Sequence, residues 1–469
     1  MPQGHASSLR DWLVNDSGRD RHFWALDTSA ALADLVTGSS LRAELRELEG
    51  RSVLVATSEQ LTTGLALIEL DGVARRLTLL PPDMRSEYLP AVVANSEIDV
   101  IVTDGDPKSF STLNVPRVFT CSSKISPAAR ADLKRYATEW VLFTSGTTGM
   151  PKMVVHTLEG LTAAIKRPDK PNPAIIWGTY YDIRRYGGLQ IFFRAIIDGG
   201  SLILSNAHEA AADHLVRLGK LGVTHMTGTP SHWRRALMTP NANAISPQYC
   251  RLSGEISDQS ILDALHAAYP QAGIGHAYAS TEAGVGFDVN DMRAGFPASM
   301  IGENGPSAHV QMKIVDGSLR IRSKGAATRY LGDEGAALVD EEGYIDTGDI
   351  VELRDGRYYF VGRKGGIINV GGLKVHPEEV EAVINRHPDV RMSLVYPRKN
   401  PITGAVVAAD VVLKENSDIA GTDPRVSAFR RDILFHCRNN LAQHKVPVTI
   451  RFVPALAMNA TGKLVRQNA

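Results

Sequence analysis

The stretch Glu139–Thr157, EWVLFTSGTTGMPKMVVHT, constrains this chain more than any other. Trp140–Phe143 is a short apolar run of strand character that opens directly onto Thr144, Ser145, Gly146, Thr147, Thr148 and Gly149. A strand ending in such a turn aims backbone N–H and side-chain O–H groups at one spot, which suits a phosphate. Gly146 and Gly149 keep a Cβ away from the oxygens, and Lys152 supplies a mobile positive charge. Spacing excludes a Walker A loop. Counted from Gly146, its second glycine falls on Pro151, and Lys152 is followed by Met153 rather than Ser or Thr. A plain polar turn is the alternative, but an unbroken run of small and hydroxyl residues exceeds what a turn requires.

At 469 residues the chain has room for several structural units at roughly 100–200 residues each. Lys plus Arg equals Asp plus Glu at 51 each, so no global field favours nucleic acid or an anionic membrane, and small molecules or proteins are the expected partners. Cys121, Cys250 and Cys437 are widely spaced and odd in number, which argues against a disulfide framework or a structural zinc site. The N-terminal segment lacks an apolar core of signal-peptide length, and the apolar run 189–204 is interrupted by Arg194 and Asp198, so no membrane span and a cytoplasmic location are expected.

Alternating patterns predict strands at 51–57, 98–103 and 117–121 with helices at 58–71 and 88–96, the repeated strand–helix–strand text of a parallel sheet. A helix is expected at 158–166. Beyond a Pro-rich break come a buried helix at 189–197, strands at 201–204 and 223–227, and a helix at 231–238. Near the end, Pro377 stands where a helix would begin, with Glu378 and Glu379 favourable at its positive end. Strands at 392–396 and 405–413 and a helix at 424–441 complete the reading.

Ser145-Gly146-Thr147-Thr148-Gly149-x-Pro151-Lys152 resembles the phosphate-binding signature of the adenylate-forming superfamily, which comprises acyl- and aryl-CoA synthetases, peptide-synthetase adenylation domains and luciferases. Further stretches resemble that family in its order. Ser253-Gly254-Glu255 is similar to the adenine loop, and Tyr278-Ala279-Ser280-Thr281-Glu282 to a Y-G-x-T-E motif with Ala279 in place of glycine. Tyr344–Asp349 matches Y-x-x-T-G-D, and Thr461-Gly462-Lys463-x-x-Arg466 is similar to the last motif. The resemblance implies an α/β fold, with a large N-terminal domain of sheets flanked by helices (1–364) and a small mobile C-terminal α+β domain (365–469) hinged near Gly365. Here Gly365-Gly366 replaces the family's polar hinge residues, which frees rotation but removes side-chain contacts that would hold one orientation.

Roles follow residue by residue. Thr144–Gly149 and Lys152 would hold the departing phosphates, Tyr278 would stack on adenine, and Thr281 would bond the α-phosphate. Glu282 would hold Mg²⁺, Asp349 would accept both ribose hydroxyls, and Arg363 would contact the nucleotide. Lys463 would bridge substrate carboxylate and ATP phosphate. Tyr181, Asp182, Tyr186, Met226, Gly228, His276 and Ala277 would line the acyl pocket, and Gly371-Gly372 would admit a thiol. Asp182 stands where amino-acid-activating relatives receive an ammonium. Arg184 or Arg185, turned inward, would instead bind a second carboxylate or pair with Asp182, and a third possibility leaves both arginines in solvent. The implied enzyme is an AMP-forming ligase that uses ATP and Mg²⁺ to activate a small to medium, aryl or polar-substituted acid. The acyl group then passes to CoA, or to a phosphopantetheine carrier protein. A non-catalytic nucleotide-binding homologue is the reading of another class.

Overall fold

The computed structural model describes residues 8–14, 21–128, 133–144, 150–332, 337–401, 403–414, 424–459 and 462–465. The expected loop residues Ser145–Gly149, and also Thr461 and Arg466, lie outside that set. The described residues form a large N-terminal part with three sheets and a smaller C-terminal part with strands and helices around a sheet of its own.

Two eight-stranded sheets form the body. In the first, the parallel strands Ser201–Ile203, Ile176–Thr179, His225–Gly228, Tyr249–Ser253 and Gly273–Ser280 lie side by side, and Gly284–Val289 turns back antiparallel as the edge. The second carries the parallel strands Ser52–Val55, Arg76–Leu79, Val100–Thr103 and Glu139–Phe143, with Met153–Thr157 antiparallel beside the last of these. The two strands that flank the phosphate-type loop are thus a hairpin, closed by Thr144 N–H donating to the Lys152 carbonyl at 2.9 Å.

Helices Gln60–Leu70 and Tyr186–Ile197 share one apolar core with both sheets. Every residue of the first is buried, which explains why its text is apolar on all sides rather than striped. Phe192 and Phe193 of the second are 0% exposed, and truncating either to alanine costs about 3–5 kcal/mol. The fully buried Arg21 donates to the Ala195, Ile196 and Gly200 carbonyls at 3.0–3.2 Å and so places a cation at the negative end of that helix. Buried Asp71 accepts from Leu9 N–H at 2.9 Å and Trp140 Nε1–H at 3.3 Å, and burial pushes its carboxyl up to about 7.

A third sheet of six antiparallel-paired strands packs Phe287, Phe296, Met312 and Ile321 into its own core. The sequence reading did not anticipate its strands Gly302–Ser307, Val310–Val315 and Ser318–Ser323. The helix expected at 189–197 starts earlier, at Tyr186, because Gly187 and Gly188 are poor helix formers that hide its first turn. The strand expected at 117–121 runs on to Pro127, where its polar half pairs with Gly38–Leu41.

The smaller part is a five-stranded sheet packed on helices Pro377–Ile384 and Pro424–Asn440. Its hairpin Ile368–Val370/Leu373–Val375 turns through Gly371 and Gly372 at φ +57° and +88°, the pair of positive values that a two-residue turn of this kind demands. Lys364–Gly366 is a single 3-10 turn leading into it. All three cysteines are free and buried, and burial pushes each thiol up, that of Cys437 to about 11. Among the described residues no helix is long and apolar enough to cross a membrane.

Candidate active site

Strands of the first and third sheets bring Tyr278, Asp349 and Arg363 together. Asp349 and Arg363 are cross-strand partners, with Arg363 Nε 3.0 Å from Asp349 Oδ1, and Tyr278 Oη donates to Asp349 Oδ2 at 2.5 Å. The Tyr278 ring stacks on Phe360 (5.3 Å, 10°) and Phe287 (5.7 Å, 21°). Those two phenylalanines lie 6.4 Å apart, too close to sandwich the tyrosine between them. Burial raises the Asp349 carboxyl, with Arg363 opposing the shift. A carboxylate has about four acceptor sites, so Asp349 keeps capacity for further donors.

Beside this group is a cavity of about 340 Å³ whose walls include Ser280, Glu282, Tyr330, Asp346, Thr347 and Arg363. The Glu282 carboxylate accepts no hydrogen bond among the described residues, which leaves a hard anionic oxygen donor uncommitted at the wall. Lys152 holds its ammonium 4.7 Å from the Tyr330 ring centroid, on the same wall. Thr281 is fixed through its carbonyl, which accepts from Nε2–H of the fully buried His156 at 2.8 Å. Burial pulls that imidazole down to about 4, so it is neutral near pH 7 and its proton sits on Nε2. His156 went unnoticed in the sequence because a lone histidine in a strand carries no motif.

Lys463 arrives from the far end of the chain. Its ammonium lies in the field of the Glu255, Asp349 and Glu282 carboxylates and of Arg363, and burial pulls its pKa down against the carboxylates. Its loop is seated on the large part by main-chain contacts. Thr229 Oγ1 donates to the Gly462 carbonyl at 2.8 Å, and Leu464 N–H donates to Glu255 Oε1 at 3.2 Å. Glu255 also accepts from Ser231 N–H at 2.9 Å and Ser231 Oγ at 3.0 Å. Its side chain is therefore committed to the Lys463 loop and the start of helix Pro230–Leu237. Gly254 lies alongside, its Cβ direction 3.6 Å from Lys463 Cε. Within the loop, Asn459 Oδ1 accepts from Lys463 N–H at 3.0 Å.

The expected acyl-pocket residues separate into two groups. Tyr181 donates to the Ser253 carbonyl at 2.8 Å, Tyr186 bonds the Val285 backbone, and Ala277 shares a face with them. Met226 and Gly228 do not. Met226 is 0% exposed in a core with Trp233 and Leu252, and Gly228 abuts Tyr180 and His232. Side chains alternate along strand His225–Gly228, so Thr227, which the sequence reading passed over, takes the inner face. His276 also turns away and donates from Nε2 to the Arg293 carbonyl at 3.0 Å. Asp182 is engaged by Arg184, with Nη2 2.5 Å from Oδ2 and Nε donating to Oδ1 at 2.8 Å, and Arg184 is 4% exposed. Pairing is thus the alternative realised, and Arg184 is not in solvent. Arg185 pairs with Asp83.

Comparison with known proteins identifies the family and the fold. The family described as AMP-binding enzyme matches residues 72–329, and its C-terminal domain matches residues 379–463. 4-Coumarate–CoA ligase 2 of Oryza sativa subsp. japonica is 29% identical over 359 residues, covering 69% of this chain and 60% of that protein. The match thus spans about three fifths of that plant relative's length. 2-Succinylbenzoate–CoA ligase of Salmonella typhimurium (strain LT2) is 25% identical over 437 residues, or 89% of this chain and 86% of that protein. In fold, the chain resembles the anthranilate CoA ligase AuaEII solved in complex with anthranoyl-AMP, with a TM-score of 0.79 at 18% identity, covering 98% and 95% of the two chains.

Proposed function

Because the chain belongs to the AMP-binding enzyme family, we propose that it is an ATP-dependent, AMP-forming acid–thiol ligase that joins a carboxylic acid to CoA through an acyl-adenylate. The observation that carries this reading is Lys463, whose loop is held through Gly462 and Leu464 by Thr229 and Glu255 so that its ammonium lies in the field of Asp349 and Glu282. A cation brought to a carboxylate-lined cavity from another part of the chain suits a reaction in which anionic groups must crowd together.

A carboxylate is a poor electrophile because its leaving group would be oxide. One carboxylate oxygen attacks the α-phosphorus of ATP, a new O–P bond forms, and the bond to the bridging oxygen breaks to release pyrophosphate. Lys463 stabilises the charge that gathers at the α-phosphate, and the Thr281 backbone, held by His156, positions its hydroxyl there. Tyr278 offers a ring face to the adenine and Asp349 accepts from the ribose diol. The uncommitted Glu282 carboxylate would hold Mg²⁺, which supplies charge neutralisation for the phosphates. In the second step the thiolate sulfur attacks the acyl carbon, forming a thioester and expelling AMP. We place the domain boundary at the Lys364–Gly366 turn and the thiol approach beside the Gly371-Gly372 hairpin. The aryl acids and CoA named for the plant and Salmonella relatives favour an aryl acid and CoA here.

The test is carboxylate-dependent ATP–pyrophosphate exchange over aryl, fatty, dicarboxylic and amino acids, followed by AMP release with and without CoA. Exchange with CoA-stimulated AMP release is the expected result. Exchange without that stimulation would transfer the acceptor role to a carrier protein, and no exchange with any acid would overturn the reading. Lys463→Ala should lower exchange by about 10²–10³-fold while ATP still binds.

A further inference from the structure

Among the described residues the Lys152 ammonium makes no hydrogen bond and no ion pair, and the partner it does have is the Tyr330 ring, 4.7 Å away at the centroid. Register explains the meeting. Strand Arg329–Leu331 runs antiparallel to Met153–Thr157, with Tyr330 opposite Val154. Lys152 stands two positions before Val154 and is still on the ladder, since its carbonyl accepts from Thr144 N–H at 2.9 Å. It therefore shares a sheet face with Val154 and is the diagonal neighbour of Tyr330, within reach of a long side chain.

The strand that carries the ring is itself held in place. Thr328 N–H and Oγ1–H both donate to the Val155 carbonyl, at 2.7 and 3.0 Å, and Arg329 pairs with Glu139 at 2.6 Å. Just before it, Ala327 N–H donates to the Glu282 carbonyl at 2.8 Å, which joins the strand to the Thr281-Glu282 turn. The ring packs partly against the apolar core of the body and forms part of the wall of the cavity of about 340 Å³, together with Glu282 and Thr347. An aromatic face attracts an ammonium through its quadrupole and leaves the full positive charge in place. A carboxylate at that position would instead form an ion pair, which an arriving phosphate would have to break.

Resting on the ligase reading above, we infer that Tyr330 is the positioning residue for Lys152: its ring face holds the ammonium, charged and uncancelled, where the phosphates of ATP arrive and pyrophosphate departs. Lysine supplies the charge, and tyrosine fixes where the charge waits. A lysine stem has several rotatable bonds, and a phosphate that captured it from solvent would have to freeze them. Holding the stem on a ring moves that ordering from the binding step into the fold. The benefit falls on ligands that carry a phosphate chain. It does not extend to the acid, so Tyr330 separates the two in its effect.

The experiment measures binding of Mg·ATP and of pyrophosphate by titration calorimetry, and the KM of each and of the acid in ATP–pyrophosphate exchange. It compares the wild-type protein, Tyr330→Leu, Tyr330→Phe and a protein with 3,4,5-trifluorophenylalanine in place of Tyr330, which keeps the ring's shape and weakens its negative face. Thermal unfolding confirms that each is folded. Tyr330→Leu should weaken both phosphate ligands about 3–10-fold while the KM of the acid holds. Tyr330→Phe should keep most of the wild-type affinity, and the trifluorinated ring should fall toward the leucine variant. In a Lys152→Met background Tyr330→Leu should cost nothing further. Should Tyr330→Leu unfold, the comparison of the two ring variants decides. Equal affinities across the folded variants, or a loss that persists undiminished in Lys152→Met, overturns the positioning inference and leaves the ligase reading intact. The expected binding pattern without exchange of any acid overturns the ligase reading alone, and a wild-type protein that binds neither ligand overturns both.

Discussion

Gly462 lies so close to the His232 ring that a β-carbon added to it would fall 1.7 Å from Cε1. The residue also has φ +72°, a conformation side chains rarely adopt. His232 cannot readily yield, because its Nδ1 accepts from Thr229 N–H at 3.2 Å in a capping box and its ring stacks on Tyr180 at 5.1 Å. The loop that carries Lys463 therefore meets a rigid plate, and glycine is what lets it approach.

Gly462→Ala should displace that loop and lower adenylate formation by at least about 10-fold, on the strain expected of a clash together with positive φ. Adding His232→Ala should recover part of the loss, and a double-mutant cycle on exchange rates reads the coupling. Strictly additive losses would refute the steric account.

Glu255→Ala removes the acceptor for Leu464 N–H and for two donors of Ser231. We expect exchange to fall by about 10-fold, chiefly in kcat, with Glu255→Gln intermediate because an amide keeps one accepting oxygen. A change confined to the KM for ATP would instead place this side chain at the adenine.

Met226→Leu should leave the ranking of acids unchanged and cost less than about 1.5 kcal/mol, since the residue lies in the Trp233 core. Thr227→Val should alter the ranking. The check is the same acid panel alongside urea unfolding.

Asp71 makes stability depend on pH in a defined sense. Its carboxyl is raised from 3.8 to about 7 in the folded protein, so between those values the native state holds a proton that the unfolded chain has released. Its contribution is fully present below the unfolded pKa and is lost as pH rises through about 7, at a slope of up to about 1.4 kcal/mol per pH unit. Asp71→Asn should flatten that component. Urea unfolding of both proteins at pH 5, 6 and 7 reads the difference, and parallel curves would contradict it.

Much of the layout was readable from short stretches. Tyr278, Asp349 and Lys463 are each marked by neighbours that give a turn or loop its shape, and the body strands Ser52–Val55 and Val100–Thr103 are marked by apolar text, whereas Arg76–Leu79, with Arg76 and Thr78 in its four residues, is not. The small sheet's hairpin and helices also follow local rules. What escaped depends on pairings that local pattern does not encode. Thr229 meets Gly462 across 233 positions, and Arg251 meets Asp288 across the strand between them. Strands such as Ser318–Ser323 escaped because charged residues occupy their outer face and leave too few apolar positions to show the period. The side taken by Met226 is not legible because His225-Met226-Thr227-Gly228 is buried on both faces, so its text does not fix which parity of the strand faces which layer.

The burial of Cys121, Cys250 and Cys437 gives the protein a chemically silent background toward thiol reagents. A single cysteine introduced at exposed Leu373, on the hairpin of the smaller part, would therefore be the one site a maleimide dye finds in the folded molecule. The position of that hairpin relative to the body becomes an optical signal, readable in real time as acid, ATP and thiol are added in turn.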